Sequence, residues 1–201
     1  MASASPRRRE LLASLGVAFR VVVPEVEELT EGAPEELVLE NARLKARAGL
    51  EARAGGAPVL GADTEVVLDG RTLGKPDGPA AARRRLEALS GRTHTVLGGV
   101  VVLDPGSGEG VPTERCGIAR TDVGFRELAE TTIDAYVASG EWRDRAGAYA
   151  IQGLGSILVR RIEGDFSNVV GLPLRLLLHL VPELAYAAGG LATERPPSAK
   201  P

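Results

Sequence analysis

Cysteine is almost absent from this chain of 201 residues, which contains Cys116 alone. A single cysteine excludes a disulfide framework and a cysteine-based zinc site, and it is typical of a reducing compartment. A chain of this length buries roughly 70% of its unfolded surface on folding, so it needs neither crosslinks nor a structural metal. We therefore expect a cytoplasmic protein that folds around its own hydrophobic core.

Aromatic residues are also scarce, at 3% of the chain. So few rings cannot provide the stacking platforms that single-stranded nucleic acids require. The net charge of -3 and the pI of about 5.6 argue against a basic nucleic-acid surface. We expect no nucleic-acid partner.

Long apolar runs are missing as well. The longest, residues 172–184, contains two prolines, an arginine, a histidine and a glutamate, whereas a membrane-spanning helix needs about 20 apolar residues. No apolar segment follows the basic residues near the start, so no signal peptide is predicted. We expect no association with a membrane.

Lysine is rare among the cations. Of 24 lysines and arginines only three are lysines, namely Lys45, Lys75 and Lys200. An excess of arginine is typical of a GC-rich genome or of a thermophile. This background leaves open why lysine remains at those three positions.

Helical and strand patterns alternate along the chain and predict an α/β fold, with a mixed twisted sheet and flanking helices. Asp69-Gly70 is a hairpin signal, and Thr131 with Asp134 has the spacing of a capping box. We expect one domain over residues 1–188 and a flexible tail over 189–201. The predicted strands are 17–23, 59–68 (interrupted at 61–64), 93–103, 114–123 and 157–162, and the predicted helices are 6–15, 34–55, 79–89, 131–139 and 172–184.

A first candidate site is the segment Ser3-Ala4-Ser5-Pro6-Arg7-Arg8-Arg9. Ser5 before Pro6 is typical of a helix N-cap. Unpaired backbone N–H groups and the positive end of the helix dipole, together with hydroxyls and guanidinium groups, suit a phosphate. A solvated basic terminus with an ordinary cap is the alternative.

A second candidate is Gly61-Ala62-Asp63-Thr64. A carboxylate after small residues at a break in a strand could hold Mg²⁺ or activate a water molecule. The alternative is a β-bulge in which Asp63 forms a local turn.

Two weaker candidates are Lys75 and Gln152. Gly74-Lys75-Pro76 lacks the spacing and the hydroxyl residue of a Walker A loop, but its ammonium could still meet a phosphate. Gln152 lies among small residues, and its amide could read the edge of a nucleobase. An exposed turn lysine and a structural glutamine are the alternatives.

Taken in order, the motifs of this chain resemble those of the Maf family of nucleoside triphosphate pyrophosphatases over residues 2–180. The matching stretches are Ala2-Ser3-Ala4-Ser5-Pro6-Arg7-Arg8-Arg9-Glu10-Leu11-Leu12, Asn41-Ala42-Arg43-Leu44-Lys45-Ala46, Gly61-Ala62-Asp63-Thr64, Leu73-Gly74-Lys75-Pro76, Leu89-Ser90-Gly91-Arg92-Thr93-His94, Arg143-Asp144-Arg145-Ala146-Gly147-Ala148-Tyr149-Ala150-Ile151-Gln152-Gly153 and Asn168-Val169-Val170-Gly171-Leu172-Pro173.

The resemblance implies two lobes around a central cleft, a homodimer, and hydrolysis of a nucleoside triphosphate to the monophosphate and pyrophosphate with Mg²⁺ or Mn²⁺. The motifs are closest to those of the branch that acts on dTTP and UTP. The alternatives are a pyrophosphatase for modified purines of the 7-methyl-GTP type, and a nucleotide-binding regulator of septum formation and division without catalysis.

The resemblance also suggests roles for individual residues. It implies catalytic-site positions at Asp63, Glu28, Lys45 and Lys75, and we expect Asp63 and Glu28 to hold the metal ion. It implies specificity positions at Arg8, Thr64 and Gln152, and phosphate contacts at Ser5 and Arg7. The sequence leaves open whether Asp63 is a metal ligand or the general base.

The chain departs from the family pattern in three places. Fewer apolar residues precede the serine motif, Arg145 replaces a usual lysine, and Ala150 replaces a usual glycine.

Overall fold

The computed structural model describes residues 1–23, 25–52, 56–106 and 111–187. A five-stranded antiparallel sheet with the order β2-β1-β3-β4-β5 forms its centre, and helices flank it. The α/β prediction is confirmed, although all neighbouring strands run antiparallel. The strands are β1 (Val59–Leu68), β2 (Arg71–Thr72), β3 (Thr93–Asp104), β4 (Thr113–Phe125) and β5 (Val159–Glu163), and the helices are α1 (Pro6–Ala13), α2 (Pro34–Glu51), α3 (Pro79–Leu89), α4 (Glu130–Ser139), α5 (Phe166–Val170), α6 (Leu174–Leu180) and α7 (Glu183–Ala187).

Strand β1 is continuous, so the predicted interruption at 61–64 is wrong. Residues from Val59 to Val67 pair in unbroken register with β3, and Asp63 lies opposite Gly99. The turn at Asp69-Gly70 has positive φ at both residues, as a type I′ hairpin requires, and leads into β2. The small residues of β1 therefore serve helix packing instead of a bulge.

Helix α2 lies close against one face of the sheet because glycines leave room for it. A Cβ atom on Gly61 would lie 2.6 Å from the Ala46 backbone nitrogen, and one on Gly99 would lie 2.9 Å from the Val38 carbonyl carbon. Alternation along the strand places Asp63 and Glu65 on this same face. The buried side of α2 includes Asn41 and Lys45, so two polar side chains are carried against the sheet.

The opposite face of the sheet is covered by other helices. Leu60 and Ala62 of β1 pack in one hydrophobic cluster with Leu12 of α1 and Leu177 of α6. Farther along the sheet, a second cluster joins Val66 and other strand residues to α3 and α4. Thr64 belongs to this face, so neighbouring β1 residues present side chains to opposite sides.

The predicted strand at 17–23 is wrong in extent. Only an isolated parallel bridge between Ala2 and Val22 forms there, and Ala2 makes a second parallel bridge to Gly61. The Ala2 N–H donates to the Leu60 carbonyl at 2.8 Å. The start of the chain thus sits on the open edge of β1 and brings the serine-arginine segment next to Asp63.

Other element boundaries also differ from the predictions. The helix predicted over 172–184 is divided into α6 and α7 at Pro182, which cannot donate a helical hydrogen bond. Thr131 and Asp134 form no capping box, because α4 begins at Glu130 after Ala129, and Asp134 pairs with Arg83. Residues 153–158 form a 3₁₀ turn ahead of β5, which begins at Val159.

Helix α1 follows its prediction at the start, with Ser5 at the N-cap and Pro6 in the first turn, and ends at Ala13. Helix α2 ends at Glu51, and residues 53–55 at the end of its predicted span lie outside the described residues. The predicted tail at 189–201 also lies outside them. The described residues include no helix long and apolar enough to cross a membrane.

Candidate active site

A cleft of about 700 Å³ runs along the edge of β1 that faces away from β3. Strand β2 pairs with β1 only at Val67 and Leu68, so the edge between the Ala2 bridge and this short hairpin is left open. Side chains from both faces of the sheet border the opening. All nine residues predicted from the sequence line this cleft: Ser5, Arg7, Arg8, Glu28, Lys45, Asp63, Thr64, Lys75 and Gln152.

On the α2 side, Lys45 joins two carboxylates. Its Nζ lies 2.5 Å from Asp63 Oδ1 and 3.0 Å from Glu28 Oε1. Asp63 and Lys45 are only 4% and 7% exposed, and removing one partner of such a buried pair leaves an uncompensated charge. Asp63 Oδ2 is buried and has no hydrogen-bond partner in the structure, so an acceptor beside the cleft is available to a ligand.

Asn41 explains how Glu28, which lies in an irregular segment, reaches Lys45. The Asn41 side chain accepts a hydrogen bond from the Leu29 N–H at 2.7 Å, and its Nδ2 donates to the Leu29 carbonyl at 3.0 Å. Asn41 is 1% exposed and lies one helical turn before Lys45. The same face of α2 therefore supplies the ammonium and holds the segment that carries Glu28.

On the other face of the sheet, Arg8 is bound to Thr64 and to a backbone carbonyl. Its Nη2 donates to Thr64 Oγ1 at 3.0 Å, and its Nε donates to the Gly171 carbonyl at 2.8 Å. Thr64 Oγ1 donates its only proton to the same Gly171 carbonyl at 3.3 Å. A ligand therefore meets Thr64 as an acceptor and Arg8 as a donor.

Ser5 and Arg7 lie at the start of α1. Ser5 Oγ is the N-cap acceptor for the Arg8 N–H at 3.5 Å, and the Ser5 N–H donates to Ser3 Oγ at 3.2 Å. Arg7 Nε donates to the Val170 carbonyl at 3.2 Å, while its Nη1 is buried without a partner in the structure. The first turn of α1 thus borders the cleft with a guanidinium nitrogen that is still free to bind.

Lys75 and Gln152 line the cleft from exposed positions. Lys75 follows Gly74, whose carbonyl accepts a hydrogen bond from the Gly147 N–H at 2.9 Å. This bond joins the turn after β2 to the segment that leads to Gln152. The two residues therefore belong to adjoining walls of one cleft.

Glu65 and Arg145 are charged residues of the cleft that were not assigned a role from the sequence. Glu65 lies two residues after Asp63, and the strand period places both on one face, which is the signal that could have identified it. Burial, with Asp63 and Glu28 nearby, raises the pKa of Glu65 to about 7, and its Oε2 is buried without a partner in the structure. Arg145 also lines the cleft, and its Nε is buried without a partner there.

The donor set fits a divalent cation that arrives with a phosphorylated ligand. No group of three or more His, Cys, Asp or Glu side chains among the described residues is arranged to hold a metal ion alone. Mg²⁺ commonly takes one or two protein carboxylates and completes its shell with phosphate oxygens and water. The free Asp63 Oδ2, with Glu28 close by, provides such a partial set.

Neither His94 nor Cys116 supplies a nucleophilic pair. His94 is 2% exposed, and its Nε2 lies 2.8 Å from the Tyr149 hydroxyl inside the core. Cys116 is exposed on β4. The chemistry of the cleft is thus that of carboxylates, ammonium groups and guanidinium groups.

An antiparallel sheet with an open-edged cleft is typical of a protein that binds anionic ligands when cations line both sides of the cleft, as they do here beside the buried carboxylate of Asp63. Comparison with known families identifies it: residues 1–184 match the family model described as Maf-like protein. The chain belongs to the Maf family.

Individual relatives cover almost the whole chain. A protein of Moorella thermoacetica named dTTP/UTP pyrophosphatase is 55% identical over 87% of this chain and 88% of its own length. Proteins with the same name from Deinococcus radiodurans and Escherichia coli O157:H7 are 46% and 47% identical. The Deinococcus alignment covers 95% of both chains, and the Escherichia alignment covers 87% of this chain and 86% of that relative.

Proposed function

We propose that this protein hydrolyses dTTP and UTP to the monophosphate and pyrophosphate, and so removes these or modified pyrimidine triphosphates from the nucleotide pool. The observation that carries the proposal is Asp63, a buried carboxylate held by Lys45 with its second oxygen free beside the cleft. The relatives named dTTP/UTP pyrophosphatase support the choice of substrate.

The reaction breaks the bond between the α and β phosphates, so the cleft must balance phosphate charge and direct a water molecule. Lys75 and Arg7 provide positive charge beside the phosphates. Asp63 and Glu28 would hold Mg²⁺ or Mn²⁺, which when bound neutralises the charge that develops on the phosphate oxygens. Lys45 orients Asp63 through their contact at 2.5 Å, and a carboxylate of the cleft accepts the proton of the attacking water.

The hydrogen-bond polarity around Thr64 favours thymine and uracil. Because Thr64 donates to Gly171, its remaining lone pair can accept from the N3–H that thymine and uracil carry and cytosine lacks. Arg8 uses two of its N–H groups in the structure, and another can donate to a neighbouring carbonyl of the base. The Gln152 amide can form a further hydrogen bond with the same edge of the base. We propose that these three residues read the base.

The arrangement of the cleft also bears on the two alternative functions, a 7-methyl-GTP pyrophosphatase and a regulator without catalysis. A 7-methylguanine base also offers N–H beside a carbonyl, but its ring is positively charged, and Arg8 beside it would repel that charge. A regulator that binds nucleotide without catalysis would not need the free oxygen of Asp63. A panel of nucleotides distinguishes both alternatives from a dTTP/UTP pyrophosphatase.

The test is a panel of dTTP, UTP, dCTP, CTP and 7-methyl-GTP with Mg²⁺, in which released pyrophosphate is measured. We expect dTTP and UTP to be turned over at least about 10-fold faster than the cytosine nucleotides, the range for loss of a paired hydrogen bond. Preferential turnover of 7-methyl-GTP would replace the pyrimidine proposal. Binding without turnover of any nucleotide would support the regulator.

The dependence of activity on a metal ion is tested by chelating the divalent cation and then adding it back. We expect EDTA to abolish pyrophosphate release and excess Mg²⁺ or Mn²⁺ to restore it, because few protein ligands hold the cation. Zn²⁺ added at the same concentration serves as a control for nonspecific effects of a divalent ion. Full activity in EDTA would contradict the assignment of Asp63 and Glu28 as metal ligands.

Three further predictions accompany this function: a homodimer, a cytoplasmic location, and no nucleic-acid or membrane partner. Light scattering on the purified chain tests the first, with a mass near twice 21.0 kDa expected. A mass near 21.0 kDa at micromolar concentration would reject it.

A further inference from the structure

Arg145 is a cation of the cleft that forms no salt bridge within the described part of the chain. It precedes the short 3₁₀ turn Ala146–Ala148, is half-buried, and has an Nε atom that is buried without a hydrogen-bond partner in the structure. Burial lowers the pKa of Arg145, and no neighbouring carboxylate counteracts this effect among the described residues. Since a guanidinium keeps its proton in proteins, Arg145 places a partly desolvated positive charge beside the cleft.

Two other cations of the cleft, Lys45 and Arg8, are more fully engaged. Lys45 is the one cleft-lining cation in the described part of the chain that forms a salt bridge, and its two partners are Asp63 and Glu28. Arg8 donates hydrogen bonds to Thr64 Oγ1 and to the Gly171 carbonyl. Positive charge that remains available for an anion therefore comes from Arg7, Lys75 and Arg145.

The backbone around Arg145 is held firmly. The Gly147 N–H donates to the Gly74 carbonyl, next to Lys75. A Cβ atom on Gly147 would lie 2.8 Å from Val66 Cγ1, so the turn packs closely against β1. Arg145 and Lys75 therefore lie on two segments that are joined by a backbone hydrogen bond, and both residues line the cleft.

We propose that Arg145 is a substrate-binding residue that contacts the phosphates of the nucleotide and balances their charge together with Lys75. This assignment rests on the proposed function for the identity of the nucleotide, while the phosphate contact itself does not depend on hydrolysis. A guanidinium presents two parallel N–H donors to a phosphate, which a lysine cannot do.

The experiment measures binding of inorganic pyrophosphate with Mg²⁺ by calorimetry, which needs no turnover and no base contact. Arg145→Gln is expected to weaken binding by about 10-fold or more, the range for a charge-assisted hydrogen bond. Arg143→Gln is the matched control, because Arg143 is exposed, lies over the Trp142 ring and is not part of the cleft lining. It should leave the affinity unchanged within about twofold.

Thermal melting separates binding from a structural role. Removing an unbalanced partly buried charge should keep or raise the Tm of the free protein, and it should reduce the Tm increase caused by pyrophosphate. If Arg145→Gln melts well below the wild type, Arg145→Lys is compared instead, and we expect weaker pyrophosphate binding because the two-donor geometry is lost.

Wild-type affinity in the variant that folds normally would overturn the proposal, as would a wild-type protein that does not bind pyrophosphate. A wild-type protein that binds pyrophosphate through Arg145 but hydrolyses neither dTTP nor UTP would instead overturn the proposed function and leave this inference intact.

Discussion

Lys45 shows how much depends on a single side chain. Two of the three lysines of an arginine-rich chain, Lys45 and Lys75, line the cleft, and Lys200 lies outside the described residues. Lys45 is almost fully buried between Asp63 and Glu28. A compact ammonium fits between them, whereas a planar guanidinium has a different shape and donor geometry.

We therefore predict that Lys45→Arg reduces kcat for dTTP by about 10-fold or more, because small displacements of catalytic groups are costly. Arg47→Lys is the control, since Arg47 is an exposed residue of the same helix. Steady-state kinetics with dTTP measure kcat of the two variants. Full activity of Lys45→Arg would show that charge alone suffices at this position.

At the level of residues, the sequence motifs and the resemblance to the family identified nine side chains that the fold brings to one cleft. Glu65 was not identified because its signal, a spacing of two from Asp63, is useful only once the strand is known to be continuous. Arg145 was recognised only as a departure from the family pattern. The proposal for Arg145 rests on its partial burial and on an Nε atom without a partner in the structure, which are tertiary properties.

At the level of elements, the contact between α2 and β1 determines the distance from Lys45 to Asp63. Gly61 permits this contact, since any side chain there would meet the backbone of α2 at Ala42 and Ala46. From the sequence we predicted an interruption of this strand at residues 61–64, since a glycine in a strand has several possible causes. Which cause applies depends on the partner helix, which local patterns do not reveal.

Gly61→Ala is predicted to destabilise the protein by about 1–3 kcal/mol, the usual cost of overpacking, and to lower kcat by separating Lys45 from Asp63. Gly78→Ala is the matched control, because a Cβ atom at Gly78 would meet nothing within 4 Å. Urea unfolding and steady-state kinetics measure both effects. Equal stability of the two variants would contradict the close contact described for α2.

At the level of the whole molecule, folding stability is coupled to pH through His94. Burial in the core beside Phe125 and Tyr149 lowers the pKa of His94 to about 4. The unfolded chain binds a proton near pH 6.5, so between pH 6.5 and 4 the unfolded state takes up more protons than the folded state. The contribution of His94 to folding stability is therefore fully present above pH 6.5 and is lost as the pH falls towards 4.

Between pH 7 and pH 5 we predict that the contribution of His94 to the free energy of unfolding falls by about 2 kcal/mol. Urea unfolding at the two pH values measures it, and His94→Gln is the comparison because it cannot titrate in this range. The variant should lose less stability than the wild type over the same interval. Identical losses would show that His94 does not carry the pH dependence.

The most direct test of the central claim is the rate of pyrophosphate release from dTTP and UTP by the wild type and by Asp63→Asn. We predict that the wild type forms the monophosphate and pyrophosphate, and that Asp63→Asn, folded as judged by its Tm, is slower by at least about 10²-fold. Near-normal release of pyrophosphate by Asp63→Asn would contradict the account.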